Sequence, residues 1–466
     1  MKDTVLPACS DADRKRIMAV IKFGTFLALL NETIINVALT KLTSVFAVSE
    51  NTVQWLTSGY MLVLGILVPV TAFLIERLST RELYLASMSI FLIGTVFAAC
   101  SMSFPMLLCA RLFQGLGAGV MMPLLMNTIM VLNPPEKRGA AMGSALLIVL
   151  FAPAVGPTFS GVVLQLLSWR WIFIIIIPLA AVSVVTGWLF LKNVTEKKRR
   201  GLDVFSLALS TVGFGGLLYG INELCSSSSG LSTGAAALAA GAAALVAFVV
   251  RQLKVPDPLL DVRVFRSPMF SLGMLLITLT YVIMFANYVL MPMFMQSVIG
   301  LSVFATGLAV LPGGIIGAVL PSIFGKVYDR RGPRVIVPLG FAVMAAAALL
   351  ISRLGPSAAV VTAALCYCLV MLGIDTMLSA CQTNSLNQLS KEYYAHGSAV
   401  MNTLMMIGSA LGSSVFIALM AQRQRSAVSA GMSAVNAASG GISFSYLIAA
   451  ALAAAGFAAA LFFRKE

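Results

Sequence analysis

Three ionisable side chains lie where water is least assured. Glu32 sits in TFLALLNETIINVALTK (25–41), inside an apolar run from about Ile17 to Leu39. Asp375 sits in LGIDTMLSACQTNSLNQL (372–389), and Arg111 opens a third apolar run near 106–132. A charge at the centre of a membrane-spanning helix costs roughly 2.5–3.5 kcal/mol on insertion scales, so such residues face a bundle interior or a wet cavity and mark ion or substrate pathways. A carboxylate there can load a proton from one side and release it to the other. The alternative for each acid is a neutral carboxyl hydrogen-bonded to a neighbouring helix. Arg111 cannot shed its charge; Glu32, helix-end carbonyls and water are its candidate partners.

The elements that carry these groups follow from composition. Of 466 residues, 59% are hydrophobic and 10% charged, against about 25% charged in a soluble domain. This is an all-α polytopic membrane chain. Fourteen apolar runs are long enough to span a bilayer, near 17–40, 53–75, 83–102, 106–132, 138–164, 171–191, 203–223, 233–253, 269–293, 304–327, 333–353, 357–384, 397–420 and 443–463. The first sixteen residues are polar and lack the pattern of a cleavable signal peptide, so the first run is expected to stay as an anchor. With the N-terminus inside, 24 of the 31 Lys and Arg residues fall in cytoplasmic tails and loops and five fall outside, which places both termini in the cytoplasm. The net charge of +14 then reflects topology, not nucleic acid. The cluster Lys197-Lys198-Arg199-Arg200 can in addition touch anionic lipid headgroups.

Two loops repeat each other. Glu76-Arg77-Leu78-Ser79-Thr80-Arg81 and Asp329-Arg330-Arg331-Gly332-Pro333-Arg334 share an acid, an Arg and a second Arg at the same spacing, 253 positions apart. Six helices plus an inserted pair produce that offset, giving bundles at 1–200 and 257–466 with the pair in 201–256. Repeated bundles around a midplane site are a common transporter design. Ion pairs among Glu76, Arg77, Arg81, Asp329, Arg330 and Arg334 are expected to close the cytoplasmic face. Gly156, Pro157 and Gly161 suit a helix that bends or packs tightly between the bundles.

Other features are plainer. Cys366 and Cys368 are expected to pack, and no metal-ligand set stands out. No GxxxxGK[ST] cradle for a nucleotide is present, and no nucleophile–base pair that would make an enzyme. No cofactor is expected. His396, the one histidine, is expected as a solvated loop residue. The 25 methionines cluster, as at Met121, Met122, Met126 and Met130, which suits either core filling or an adaptable cavity.

Several motifs together resemble the major facilitator superfamily, in its 14-spanning drug:proton antiporter branch. Leu30-Asn31-Glu32-Thr33-Ile34-Ile35-Asn36-Val37-Ala38-Leu39 is similar to that branch's first-helix motif, with the acid one position later. Arg111-Leu112-Phe113-Gln114-Gly115-Leu116-Gly117-Ala118-Gly119 matches RxxQGxGxG. Gly156-Pro157-Thr158-Phe159-Ser160-Gly161 looks like GPxxGG with Ser160 for one glycine, and Ser168-Trp169-Arg170-Trp171 follows it. The resemblance implies the two-bundle fold with two extra helices and a place in the cytoplasmic (inner) membrane. It also implies proton-coupled export of amphipathic organic compounds by alternating access, and a proton-handling role for Arg111. Glu32, Asp375 and Arg111 are the proton-coupling candidates. Asn31, Asn36, Gln114, Met122, Asn127, Tyr288, Gln382 and Asn384 are the candidate substrate-cavity residues. The partners expected are small amphipathic substrates, protons and membrane lipids, bound by a monomer. A lipid translocator on the same scaffold and a non-transporting receptor are the alternatives.

Overall fold

The computed structural model describes residues 10–35, 37–48, 50–53, 55–194, 203–226, 231–256 and 258–464. Each apolar run is helical. In chain order the helices are α1 (Asp11–Ile34), α2 (Leu39–Phe46), α3 (Glu50–Val53), α4 (Trp55–Arg77), α5 (Thr80–Ala99), α6 (Phe104–Ala118), α7 (Met121–Leu132), α8 (Arg138–Leu166), α9 (Trp171–Ile174), α10 (Ile176–Phe190), α11 (Val204–Ser226), α12 (Leu231–Lys254), α13 (Pro268–Ser297), α14 (Val303–Arg331), α15 (Pro333–Ser352), α16 (Val360–Asn387), α17 (Tyr394–Ser429) and α18 (Ala434–Ala460). Among the described residues eleven helical segments are long and apolar enough to cross a membrane, or twelve when α4, bent by 56° near 68–69, counts as one span. The chain is therefore an all-helical, multi-pass membrane protein. The expected count of fourteen also needs α8 and α11, helices of 29 and 23 residues that both include side chains outside those described.

Serines start many of these helices. Ser10, Ser103, Ser267, Ser302 and Ser433 each accept a backbone N–H from the first turn that follows. The repeated loops show the same logic in two forms. Ser79 forms a reciprocal capping box with Glu82, while Gly332, at φ 73, makes the turn into α15. Ser79 and Gly332 are 253 positions apart, and α5 and α15 begin one residue after them. A second echo is a 3₁₀ turn immediately before α8 (Pro135–Lys137) and before α17 (Lys391–Tyr393).

The N-terminal helices (α1–α10) and the C-terminal helices (α13–α18) meet along two seams. α8 packs on α14, and α4 packs on α17. Glycine makes the first seam possible: a Cβ on Gly139 would collide with Gly325 O, and one on Gly143 with Pro321 O. Gly139 and Gly143 are a small-xxx-small pair, the usual device for close helix approach in lipid. Gly156 does something different from the bridging expected of it. Its Cβ would strike Thr33 Oγ1, so it brings α8 onto α1 within the N-terminal set. A Cβ on Gly161 meets nothing within 4 Å, so no close packing explains that glycine. The side chain of Pro157 lies outside what the structure describes; the backbone of α8 runs through it as helix.

Helices α11 and α12 pair through Gly213, Gly216 and Gly220 on one side and Gly241 on the other, where added Cβ atoms would sit 2.6–2.9 Å from the partner helix. Asp203 and Arg251 clamp one end of the pair with two 3.0 Å hydrogen bonds, and they hold the Asp203 carboxyl down at about 2. α12 is largely peripheral, whereas α11 lies against both α4 and α17, covering the second seam.

The seam geometry makes a prediction. Gly143→Leu forces a side chain into Pro321, an overpacking worth about 1–3 kcal/mol, and should part α8 from α14. In a background without the native cysteines, maleimide should label Ser379→Cys at least about ten-fold faster once Gly143→Leu is added, a gain of about 1.4 kcal/mol in opening. Gly161→Ala should leave the labelling rate unchanged.

Candidate functional site

Arg111 is fully buried and, among the described residues, has no carboxylate within ion-pair distance. Its Nε donates to Leu56 O at 3.1 Å, and Nη1 donates to Asn31 O at 3.1 Å and to Gln114 Oε1 at 3.0 Å. The guanidinium plane lies over the Tyr60 ring, 4.3 Å from its centroid. Gln114 is held in turn, since its Nε2 donates to Thr95 Oγ1 at 2.9 Å. Carbonyls from α1 and α4, plus one amide and one aromatic face, thus hold a permanent cation. Of the partners open in the sequence, the structure selects carbonyls. Asn31 O lies in the last turn of α1, where helix carbonyls lack an intrahelical partner, so Arg111 satisfies a group that would otherwise be free.

Glu32 is one residue beyond the carbonyl that Arg111 holds. It is half-buried, feels the Arg111 charge, and makes no hydrogen bond or ion pair among the described residues. Asn31 beside it is buried with both amide atoms unpartnered, as is Arg111 Nη2. The site is therefore an uncommitted acid next to a fixed cation and spare polar atoms.

The other expected residues divide. Asp375 is 1% exposed, with Oδ2 unpartnered, and belongs to the C-terminal helices. Its electrostatic neighbours are Tyr288 and Tyr367, whereas those of Glu32 are Arg111 and Tyr60. The two acids thus have separate surroundings. Gln114 is part of the Arg111 scaffold and not free for a substrate. Asn384 also departs from the cavity expected of it: Tyr328 donates to its Oδ1 at 3.2 Å, and its Nδ2 donates to Arg464 O at 2.9 Å, near one end of the bundle. Gln382 is buried with Oε1 unpartnered, and Asn127 is buried between α7 neighbours. Tyr288 is partly open. Met122 packs at the edge of the core, while Met121, Met126 and Met130 fill it. Asn36 and the cluster 197–200 lie outside the described residues.

The two sets of helices are joined at the end that carries the Lys- and Arg-rich loops. Asp329 accepts the N–H groups of Gly139 and Ala140 at 2.8 Å each, placing a negative charge on the free amides at the start of α8. Arg138 Nη1 donates to Asn387 Oδ1 at 2.6 Å, and Ser379 Oγ donates to Gly139 O at 3.2 Å. The Glu76 carboxylate is 3.5 Å from Nε2 of His396. His396 is buried, contrary to the solvated position expected of it. Its Nδ1 accepts the Asp261 N–H at 3.1 Å, so the proton of the neutral ring sits on Nε2, toward Glu76.

Both repeat acids are thus at the junction, but their arginines are not. Arg81 donates to Trp188 O at 2.6 Å, and Arg77 lies 5.6 Å over the Phe73 ring, both within the N-terminal set. Arg330 and Arg334 line an open pocket of about 290 Å³ with Arg331 and Arg464. Among the contacts described, Asp329 meets helix-start amides and Glu76 meets an imidazole. Sequence reasoning missed Arg138, Tyr328, Asn387 and His396. The echo of the turn before α8 in the turn before α17 was the signal that could have found the first and last of them.

A family model described as Major Facilitator Superfamily matches residues 21–413. The chain belongs to the Major Facilitator Superfamily. Among its relatives, the lincomycin resistance protein LmrB of Bacillus subtilis is 38% identical over 88% of this chain and 86% of its own length. The protein of that name in Listeria monocytogenes is 36% identical over 96% of both. The proton:xylose symporter XylE superposes over 97% of this chain and 95% of its own with a TM-score of 0.67, at 15% identity, a likeness of superfamily fold alone.

The Arg111 scaffold predicts a stability order. Arg111→Met strands two buried carbonyls and the Gln114 amide, at about 1–3 kcal/mol for each acceptor left unmade. Gln114→Leu removes one link only. Thermal melting of the detergent-purified protein should fall in the order wild type, Gln114→Leu, Arg111→Met; an Arg111→Met variant melting with wild type would contradict the assignment.

Proposed function

We propose that this protein is a proton-coupled secondary active exporter of amphipathic organic compounds, drugs among them, working by alternating access. The observation that carries the reading is Glu32: an acid deep in the bundle, free of hydrogen bonds and ion pairs among the described residues, beside the immobile Arg111. Such an acid can change protonation without breaking the scaffold around it. The names of the lincomycin resistance relatives support drug export. In this reading all fourteen runs span the membrane, α8 and α11 included, and both termini face the cytoplasm. Residues 1–200 and 257–466 form the two rocking bundles, and 201–256 supplies the extra pair. The contacts of Asp329, Arg138, Ser379 and Glu76 are the closed cytoplasmic gate.

The cycle follows. With the gate open, substrate enters from the cytoplasm between the bundles. With it closed, the interior communicates with the outside, and Glu32 takes a proton that displaces substrate. The return carries the proton inward. The driving force is adequate: one proton moving down 100 mV supplies about 2.3 kcal/mol, and one pH unit about 1.4 kcal/mol. Together they sustain a gradient of about 500-fold for a neutral substrate at one-to-one exchange. For a monovalent cation the electrical part cancels at that stoichiometry, so a second titrating acid, Asp375, raises the limit.

In vesicles with an imposed proton gradient, Glu32→Gln should abolish gradient-driven efflux of a fluorescent amphiphile while leaving its equilibrium binding within about two-fold. Coupled efflux at the wild-type rate in Glu32→Gln would refute the reading. Single cysteines placed near residue 230 should react with an impermeant reagent added outside whole cells, and cysteines near residue 332 should not; the reverse pattern would invert the topology.

A further inference from the structure

The interiors of the two helix sets differ in charge. The N-terminal set places Glu32 with two internal cations, Arg111 and Lys22, the latter donating to Ser144 Oγ at 2.6 Å. Three helices of the C-terminal set have no such balance. Helices α13, α16 and α18 contain no Lys or Arg, and Asp375 is their one charged residue. A buried carboxylate without a cation is costly, so its charge must be met by a proton or by a cation from outside the protein.

The position of Asp375 favours a visitor. Ser379, four residues on, reaches across to Gly139 O of α8 at 3.2 Å. Residues four apart share a helix face and lie about 6 Å apart along the axis. Asp375 therefore faces the space between the two sets, one turn inside the junction that joins them. Its Oδ2 is buried and unpartnered.

The surroundings are aromatic. Tyr281, Phe285 and Tyr288 follow one another along one face of α13, with ring centroids 6.3 Å and 5.6 Å apart. Tyr288 and, from α16 itself, Tyr367 lie within electrostatic reach of Asp375. Unpartnered polar atoms at Tyr281 Oη, Asn287 Nδ2 and Gln382 Oε1 belong to the same helices or their neighbour turns. Aromatic faces attract cations and accommodate flat apolar bodies. A carboxylate, an aromatic wall and no internal counter-charge suit a positively charged guest.

We propose that Asp375, with Tyr281, Phe285, Tyr288 and Tyr367, forms a recognition site for amphipathic organic cations: a protonated amine or quaternary onium group on the carboxylate and an apolar body against the aromatic rings. The proposal deepens the export reading and rests on it for its biological use, but binding at this site needs neither a gradient nor coupling through Glu32.

Equilibrium binding to the detergent-purified full chain tests it with three probes of similar shape: tetraphenylphosphonium (cation), tetraphenylborate (anion) and triphenylphosphine oxide (neutral). Wild type should bind the cation at least about ten-fold tighter than the neutral probe, a difference of about 1.4 kcal/mol. Asp375→Asn should erase that preference with little change for the neutral probe, and Asp375→Glu should keep most of it. Tyr288→Leu, at a partly exposed position that tolerates change, should weaken the cation several-fold more than the neutral probe. A folded Asp375→Asn protein that still prefers the cation would overturn the proposal and leave Asp375 a proton carrier only. So would a wild type that prefers the anion or the neutral probe, or that binds none of the three. Because no gradient is applied, cation selectivity can stand even if Glu32→Gln proves fully coupled, and the two readings fail separately.

Discussion

Everything in the N-terminal helices depends on how a permanent positive charge is kept out of water. The Arg111 guanidinium is satisfied by carbonyls of α1 and α4, the Gln114 amide and the Tyr60 ring, not by an acid. Three helices are pinned to one side chain, and the neighbouring carboxylate is left uncommitted. An Arg111–Glu32 salt bridge would have bound the acid in its charged form and taken it out of use. Carbonyl solvation of the cation keeps the framework rigid and leaves the positive field on Glu32 as a tuning influence.

The junction between the two helix sets follows a different rule. It is held by hydrogen bonds, several to backbone groups at a helix start, and by glycine-permitted contact of α8 with α14. Each such bond is worth only about 0.5–1.5 kcal/mol net, since water can replace it. A junction of that kind can open without a large barrier, which an alternating carrier requires. The two repeat acids serve it with different partners. Asp329 meets two amides, and Glu76 meets an imidazole whose tautomer is set by Asp261 N–H. The two similar loops thus use different chemistry at the same junction.

Much of this was legible in the sequence because lipid imposes simple constraints. Apolar runs had to be helices, and the acids at 32 and 375 and the arginine at 111 had to face the interior, as they do. The 253-residue repeat pointed to Glu76 and Asp329, which contact the opposite helix set through His396 and the start of α8. What could not be read was partner choice. Charge pairing suggested Arg77, Arg81, Arg330 and Arg334, but backbone amides at the start of α8 carry no letter in the sequence. His396 looked like a loop residue because its burial arises from the segment that precedes α13, whose Asp261 N–H reaches it, a contact 135 positions away. Gly156 and Gly161 belong to one motif, yet only the first sits at a helix crossing, and no spacing rule separates them.

The central claim is that substrate and protons move in opposite directions through one carrier. Its most direct test loads vesicles containing the purified protein with a pH-sensitive dye and imposes a substrate gradient alone, with no pH difference and the membrane potential clamped. Substrate leaving the lumen should draw protons in and acidify it, and Glu32→Gln vesicles should show no pH change. Substrate flux in wild type with no proton movement, or with protons travelling alongside it, would contradict the account.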